Sequence, residues 1–107
     1  MSETIDQYQL RIRNRDIEDL RTILKQPYGR RFVWRWLERA GVFHQSFIQG
    51  EPDSTAFNEG RRSLGNALLS EVLEIRPESY MEMMKMKQED DNVRRTIEEQ
   101  NNTEGSE

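Results

Sequence analysis

Apolar positions along the chain recur at helical intervals. Ile17, Leu20, Ile23 and Leu24 make one stripe, the spacing of a helix with a single buried face. Asn14 suits the N-cap of that helix, and Asp16, Glu18 and Asp19 suit its positive end. Pro27 closes it, because the residue before a proline avoids the α region. Pro27 also suits the first turn of a second helix, which runs to about Ala40 with Gly41 as its left-handed cap. A third helix spans Thr55 to about Ile75, capped by Asp53 or Ser54. Arg76-Pro77 breaks it, and a fourth begins at Glu78 and reaches somewhere near Lys87. Val42 to Asp53 reads as a connection too apolar to be left wet, through Val42, Phe43, Phe47 and Ile48, so it is expected to fold over the core. The pattern predicts an all-α fold, a compact bundle of about four helices.

The ends are different. In residues 1–13, Ile5, Tyr8 and Ile12 fit one helical face, while Tyr8, Leu10 and Ile12 also alternate with polar residues as in a strand. Thr4 and Gln7 have the spacing of a capping box. The segment is read as an N-terminal helix or a mobile arm, residues 14–87 as the helical domain, and residues 88–107 as a disordered acidic tail.

Gly29 to Phe43, GRRFVWRWLERAGVF, concentrates both tryptophans of the chain. On a helical wheel Phe32, Val33, Trp36, Leu37 and Ala40 share an arc, so Phe32 and Trp36 are expected in the core. Arg31, Arg35 and Arg39 follow one another at i, i+4 on the flank. Trp34 lies off the arc and is either a lid over the core's edge or a partner contact. In the third helix Phe57, Gly60, Leu64, Ala67, Leu68 and Ile75 form the apolar face, with Glu71 projecting into it. A carboxylate there is costly unless paired, so a structural ion pair with Arg61, Arg35 or Arg39 is expected. Gly60 and Gly65 sacrifice helix propensity, for which close approach of another helix would compensate. The fourth segment holds four of the five methionines. Tyr80, Met81 and Met84 are assigned to the core. Met83 and Met86 join Trp34, Arg31, Arg35 and Arg39 as the candidate partner surface, since methionine adapts to partners.

Charge narrows the function. The net charge is −4 over 107 residues, but residues 1–76 net +1 and residues 77–107 net −5. A balanced body lacks the basic excess of a nucleic-acid-binding domain, so nucleic acid is an unlikely partner. There is no cysteine and one histidine, which removes disulfides and thiolate chemistry. His44 and Ser46 make no triad by their spacing. No phosphate loop occurs, and Glu89, Asp90 and Asp91 lack calcium-loop spacing. No catalytic residue, cofactor or metal is expected, and no apolar run approaches a membrane span.

The blocks DIEDLRTILKQPYGRRFVWRWLERAGVF and AFNEGRRSLGNALLSEVLEIRPESYMEMM resemble a family of small bacteriophage proteins of poorly defined role, encoded near the portal and capsid genes of short-tailed phages. The resemblance rests on Pro27, Gly29-Arg30-Arg31, Ala40 to Phe43, Ser46-Phe47, Ala56-Phe57, Glu59 to Arg62, Gly65, Glu71 and Pro77-Glu78. It covers roughly Asp16 to Met84. Trp36 departs from it, standing where the family often has leucine. It implies no catalytic residues. It implies a non-enzymatic structural or head-assembly protein acting through protein–protein contacts, in the host cytoplasm or the virion, with head or portal components as partners. The competing expectation is a small phage factor that binds a host protein or nucleic acid.

Overall fold

The computed structural model describes residues 2–43 and 52–105. Four helices follow one another: α1 (Ile5–Leu24), α2 (Pro27–Arg39), α3 (Pro52–Ile75) and α4 (Glu78–Glu104). Among the described residues there is no strand, and no helix is long and apolar enough to cross a membrane. The all-α expectation holds.

The capping box closes the question of the N-terminus in favour of helix. Thr4 Oγ1 accepts from the Gln7 amide (3.1 Å) and Gln7 Oε1 accepts from the Thr4 amide (2.9 Å). α1 therefore begins at Ile5 and passes through Asn14 without interruption. The N-cap expected at Asn14 is corrected: an apolar stripe that continues upstream through Ile12 and a satisfied cap at Thr4 leave no reason to restart. Gln26 is extended before Pro27 (φ −100°, ψ 136°), as proline requires of its predecessor. Gly41 takes φ 75° after α2, the left-handed conformation glycine adopts without strain.

α2 and α3 are the central pair: they pack on each other and each packs against both α1 and α4. The core is small: Leu24, Val33, Leu37, Val72 and Met83, with Leu20, Trp34, Val42, Leu68 and Leu69 packed around it. Helices approach closely at glycine. A Cβ on Gly29 would overlap the Ile23 carbonyl, and one on Gly65 would lie 2.5 Å from both Ala40 Cβ and Val42 Cγ2. Gly65 thus has the close neighbour its sequence suggested. Gly60 has none, facing open space.

The expected disordered tail is not what the structure displays over residues 88–104. α4 continues to Glu104, 27 residues in all, about 40 Å at 1.5 Å per residue. Its second half has many helix formers and no proline or glycine, so nothing local stops it. The radius of gyration is 19.7 Å, against about 13 Å for a compact domain of this length. The bundle is compact; the molecule, with this projecting arm, is not. The expectation that residues 44–51, including His44, Ser46, Phe47 and Ile48, fold over the core lies outside the described residues. At the near edge Val42 is half-buried and Phe43 stacks on Trp34 at 4.8 Å.

Candidate functional site

Each of α2, α3 and α4 is rotated from the phase its apolar residues suggest. In α2 the buried positions are Gly29, Val33 and Leu37. Phe32 is 53% exposed and Trp36 46%, which corrects their assignment to the core. Trp34 takes the inner place, half-buried between Phe43 and Tyr80 (centroids 4.8 and 6.4 Å). The burial arc is turned by roughly 60° at ~100° per residue. Gly29 lies against the Ile23 carbonyl where α2 meets α1, and the buried line continues through Val33 and Leu37.

The same displacement occurs in α3. Gly65 and Val72 are buried, and Leu69 and Arg62 are half-buried on that side. Phe57 (69% exposed) and Leu64 (76%) face outward, against the expectation that they line the core. In α4 the inward positions are Ser79 and Met83, both fully buried, whereas Met81 and Met84 are exposed. Met83 is therefore core and not partner surface. Met86 is half-buried and borders an open groove.

Two grooves flank α2. One, of 580 Å³, lies between α2 and α4 and carries Arg31, Arg35, Arg39 and Lys87 with Glu38 and Asp90. The other, of 470 Å³, lies between α2 and α3 and is mostly apolar: Trp36, Ala40, Leu64, Ala67 and Leu68, edged by Arg39, Arg61 and Glu71. The ridge between them is the outer face of α2. Phe32 and Trp36 meet edge to face at 6.4 Å. Arg35 lies over the Phe32 ring at 5.3 Å and Arg39 over the Trp36 ring at 5.1 Å. Among the described residues, Arg31, Arg35 and Arg39 have no carboxylate within ion-pair distance.

Glu71 does stand in the apolar stripe of α3, but that stripe is on the surface. Its side chain is 48% exposed and its ion pair is with Arg13 of α1 at 3.6 Å, beside an Arg13–Glu74 pair at 3.6 Å. The pairing expected with Arg61, Arg35 or Arg39 is corrected: Arg61 hydrogen-bonds Asn58 (3.3 Å) and lies 5.9 Å from the Phe57 ring centroid.

The polar network that joins the helices is elsewhere, and sequence reasoning missed it. Leu24 ends α1 with a free carbonyl, which accepts from Arg30 Nη1 (2.9 Å) and Arg76 Nη1 (3.2 Å). Arg76 also donates to Ser79 Oγ (2.8 Å) and to Glu82 (2.8 and 3.4 Å). Arg30 Nε lies 3.2 Å from the same Glu82 carboxylate. The Arg76 hydrogen bond, then the charge of Arg30, hold the Glu82 carboxyl below its ordinary range against the burial that would raise it. The bond to Glu82 correspondingly pushes Arg76 up. Two arginines at a helix C-terminus complement its negative end. The available signal was Arg76-Pro77 followed at short range by Ser79 and Glu82.

These residues hold helices together. One exposed surface these contacts leave uncovered is the aromatic–arginine ridge with its two grooves. No curated protein and no solved structure gives a significant match to the chain. Residues 20–85 match the family model described as Bbp19-like phage protein. That span contains the whole bundle core and the α2 ridge, and the chain belongs to the Bbp19-like phage protein family.

Proposed function

We propose that this phage protein is a non-enzymatic structural or head-assembly component that works by docking onto other protein subunits, in the host cytoplasm and onward into the virion. One observation carries the reading. Trp36 and Ala40 of α2 and Leu64, Ala67 and Leu68 of α3 line an open groove, bordered by Arg61 and by Arg39, which has no carboxylate within ion-pair distance among the described residues. Burying such apolar surface is favourable at ~25 cal/mol per Å², and the exposed large residues include Phe32, Trp36 and Phe57, aromatic side chains of the type that anchors interfaces. Head or portal subunits with acidic rims fit the charge of the ridge.

The test is quantitative mass spectrometry of purified virions, alongside a time course of expression. A structural component appears at fixed copy number per particle and is made late. Absence from virions together with early expression would overturn the reading.

The second reading, a host-acting factor that binds a host protein or nucleic acid, draws on the same ridge. Alternating rings and arginines can stack on unpaired bases. If that reading holds, single-stranded oligonucleotides bind with affinity that falls steeply with salt. Protein docking predicts weak oligonucleotide binding near physiological salt.

A further inference from the structure

The second half of α4 leaves the body behind. Residues 92–103 are all exposed. Its ion pairs are local: Arg94 to Asp91 (3.7 Å) and to Glu98 (3.8 Å). Isolated helical segments of this length are marginal in water and gain most of their stability from packing. On a wheel, Val93 and Ile97 fall on one side, with Glu89 and Asp90 flanking them, and Arg95 falls on the opposite side. Residues 88–105 net −4. The arm is thus a short apolar stripe on a helix of net negative charge.

The α2 ridge is its complement. Phe32 and Trp36 stand one turn apart, as Val93 and Ile97 do, and both pairs are exposed. The residues beside the rings are arginines; Glu89 and Asp90 border Val93, Arg94, Gln100 and Asn101 border Ile97, and the arm as a whole is acidic. Because α4 is a continuous helix from Glu78 to Glu104, the arm cannot fold back onto the ridge of its own chain.

We propose that the α4 arm of one copy docks onto the α2 ridge of a second copy, with Val93 and Ile97 against Phe32 and Trp36 and the arm's net negative charge facing Arg35 and Arg39. A two-fold axis makes the exchange reciprocal, each copy giving an arm and receiving one. The dimer does not depend on a role in the virion, so its test and that of the assembly reading fail separately.

Sedimentation velocity of the full chain over a micromolar concentration series decides it. The expected species is a dimer that weakens as salt rises, since the bordering charges are exposed. Val93→Asp/Ile97→Asp breaks the arm, and Arg35→Glu/Arg39→Glu breaks the ridge. Each double variant should weaken self-association more than about tenfold while circular dichroism shows the bundle intact. Mixing the two variants leaves one sound arm facing one sound ridge, so a heterodimer forms where neither variant alone dimerises. A chain that stays monomeric throughout the series overturns the proposal. So does a dimer untouched by the ridge variant, which would mean that arms pair with arms. The ridge variant keeps the question open to refutation even if the arm variant loses its helix.

Discussion

At the level of single residues, two glycines separate by what surrounds them. Gly29 is buried with no room for a methyl group against the Ile23 carbonyl, which belongs to backbone and cannot yield. Gly29→Ala should cost more than about 2 kcal/mol, from forced separation of α1 and α2. Gly60 meets nothing within 4 Å, so Gly60→Ala should stabilise α3 by up to about 1 kcal/mol through helix propensity and a less flexible unfolded chain. Urea denaturation of the two variants reads both signs directly. The tryptophans separate in the same way. Trp34 is wedged between Phe43 and Tyr80 with its Nε1 buried, and Trp34→Ala should cost about 3 kcal/mol. Trp36 keeps almost half its surface in water, and Trp36→Ala should cost about 1 kcal/mol or less. Equal losses in the two tryptophan variants would contradict the observed phase of α2.

Between elements, the cluster of Arg30, Arg76, Ser79, Glu82 and the Leu24 carbonyl ties α1, α2 and the α3–α4 turn together. Its arginine side chains are only 17–18% exposed, but Glu82 is 38% exposed, so solvent screens part of its charge. Glu82→Gln should cost about 1–2 kcal/mol, mainly by leaving two neighbouring arginines without their shared counter-ion. The sign with pH follows from a carboxyl held below its unfolded value. Its contribution is full above the unfolded glutamate pKa and is lost as pH falls through the folded one. The stability gap between the native protein and Glu82→Gln should therefore be widest near neutrality and close below the ordinary glutamate range. A gap that widens in acid would refute the assignment. Glu71→Gln, at an exposed pair with Arg13, should change stability by less than about 1 kcal/mol.

On the scale of the whole molecule, core and arm have unequal standing. The five core residues lie between Leu24 and Met83, and none of residues 92–103 is buried. Deleting residues 92–107 should change the unfolding free energy of the dilute monomer by less than about 0.5 kcal/mol, while small-angle scattering registers a marked fall from the 19.7 Å radius of gyration. A large loss of stability would mean that the arm supports the bundle in a way the contacts do not account for.

Much of this organisation was legible in residue order. Thr4 and Gln7 specified a capping box, Pro27 and Pro77 marked helix starts, and Gly41 marked a left-handed cap, because caps and breaks are decided by neighbours within one turn. Helical periodicity likewise announced four amphipathic segments. What only the tertiary structure decided was the rotation of each helix and the destination of its apolar stripe. Phe32, Trp36, Phe57, Leu64, Met81 and Met84 ended outside, while Gly29, Gly65, Ser79 and Met83 took the inner positions. Hydrophobicity states that a side chain gains by leaving water, but it does not say which surface will cover it. Helix approach distance chooses the small residues for the interior of a thin bundle, and the large apolar residues are left for a second surface to cover.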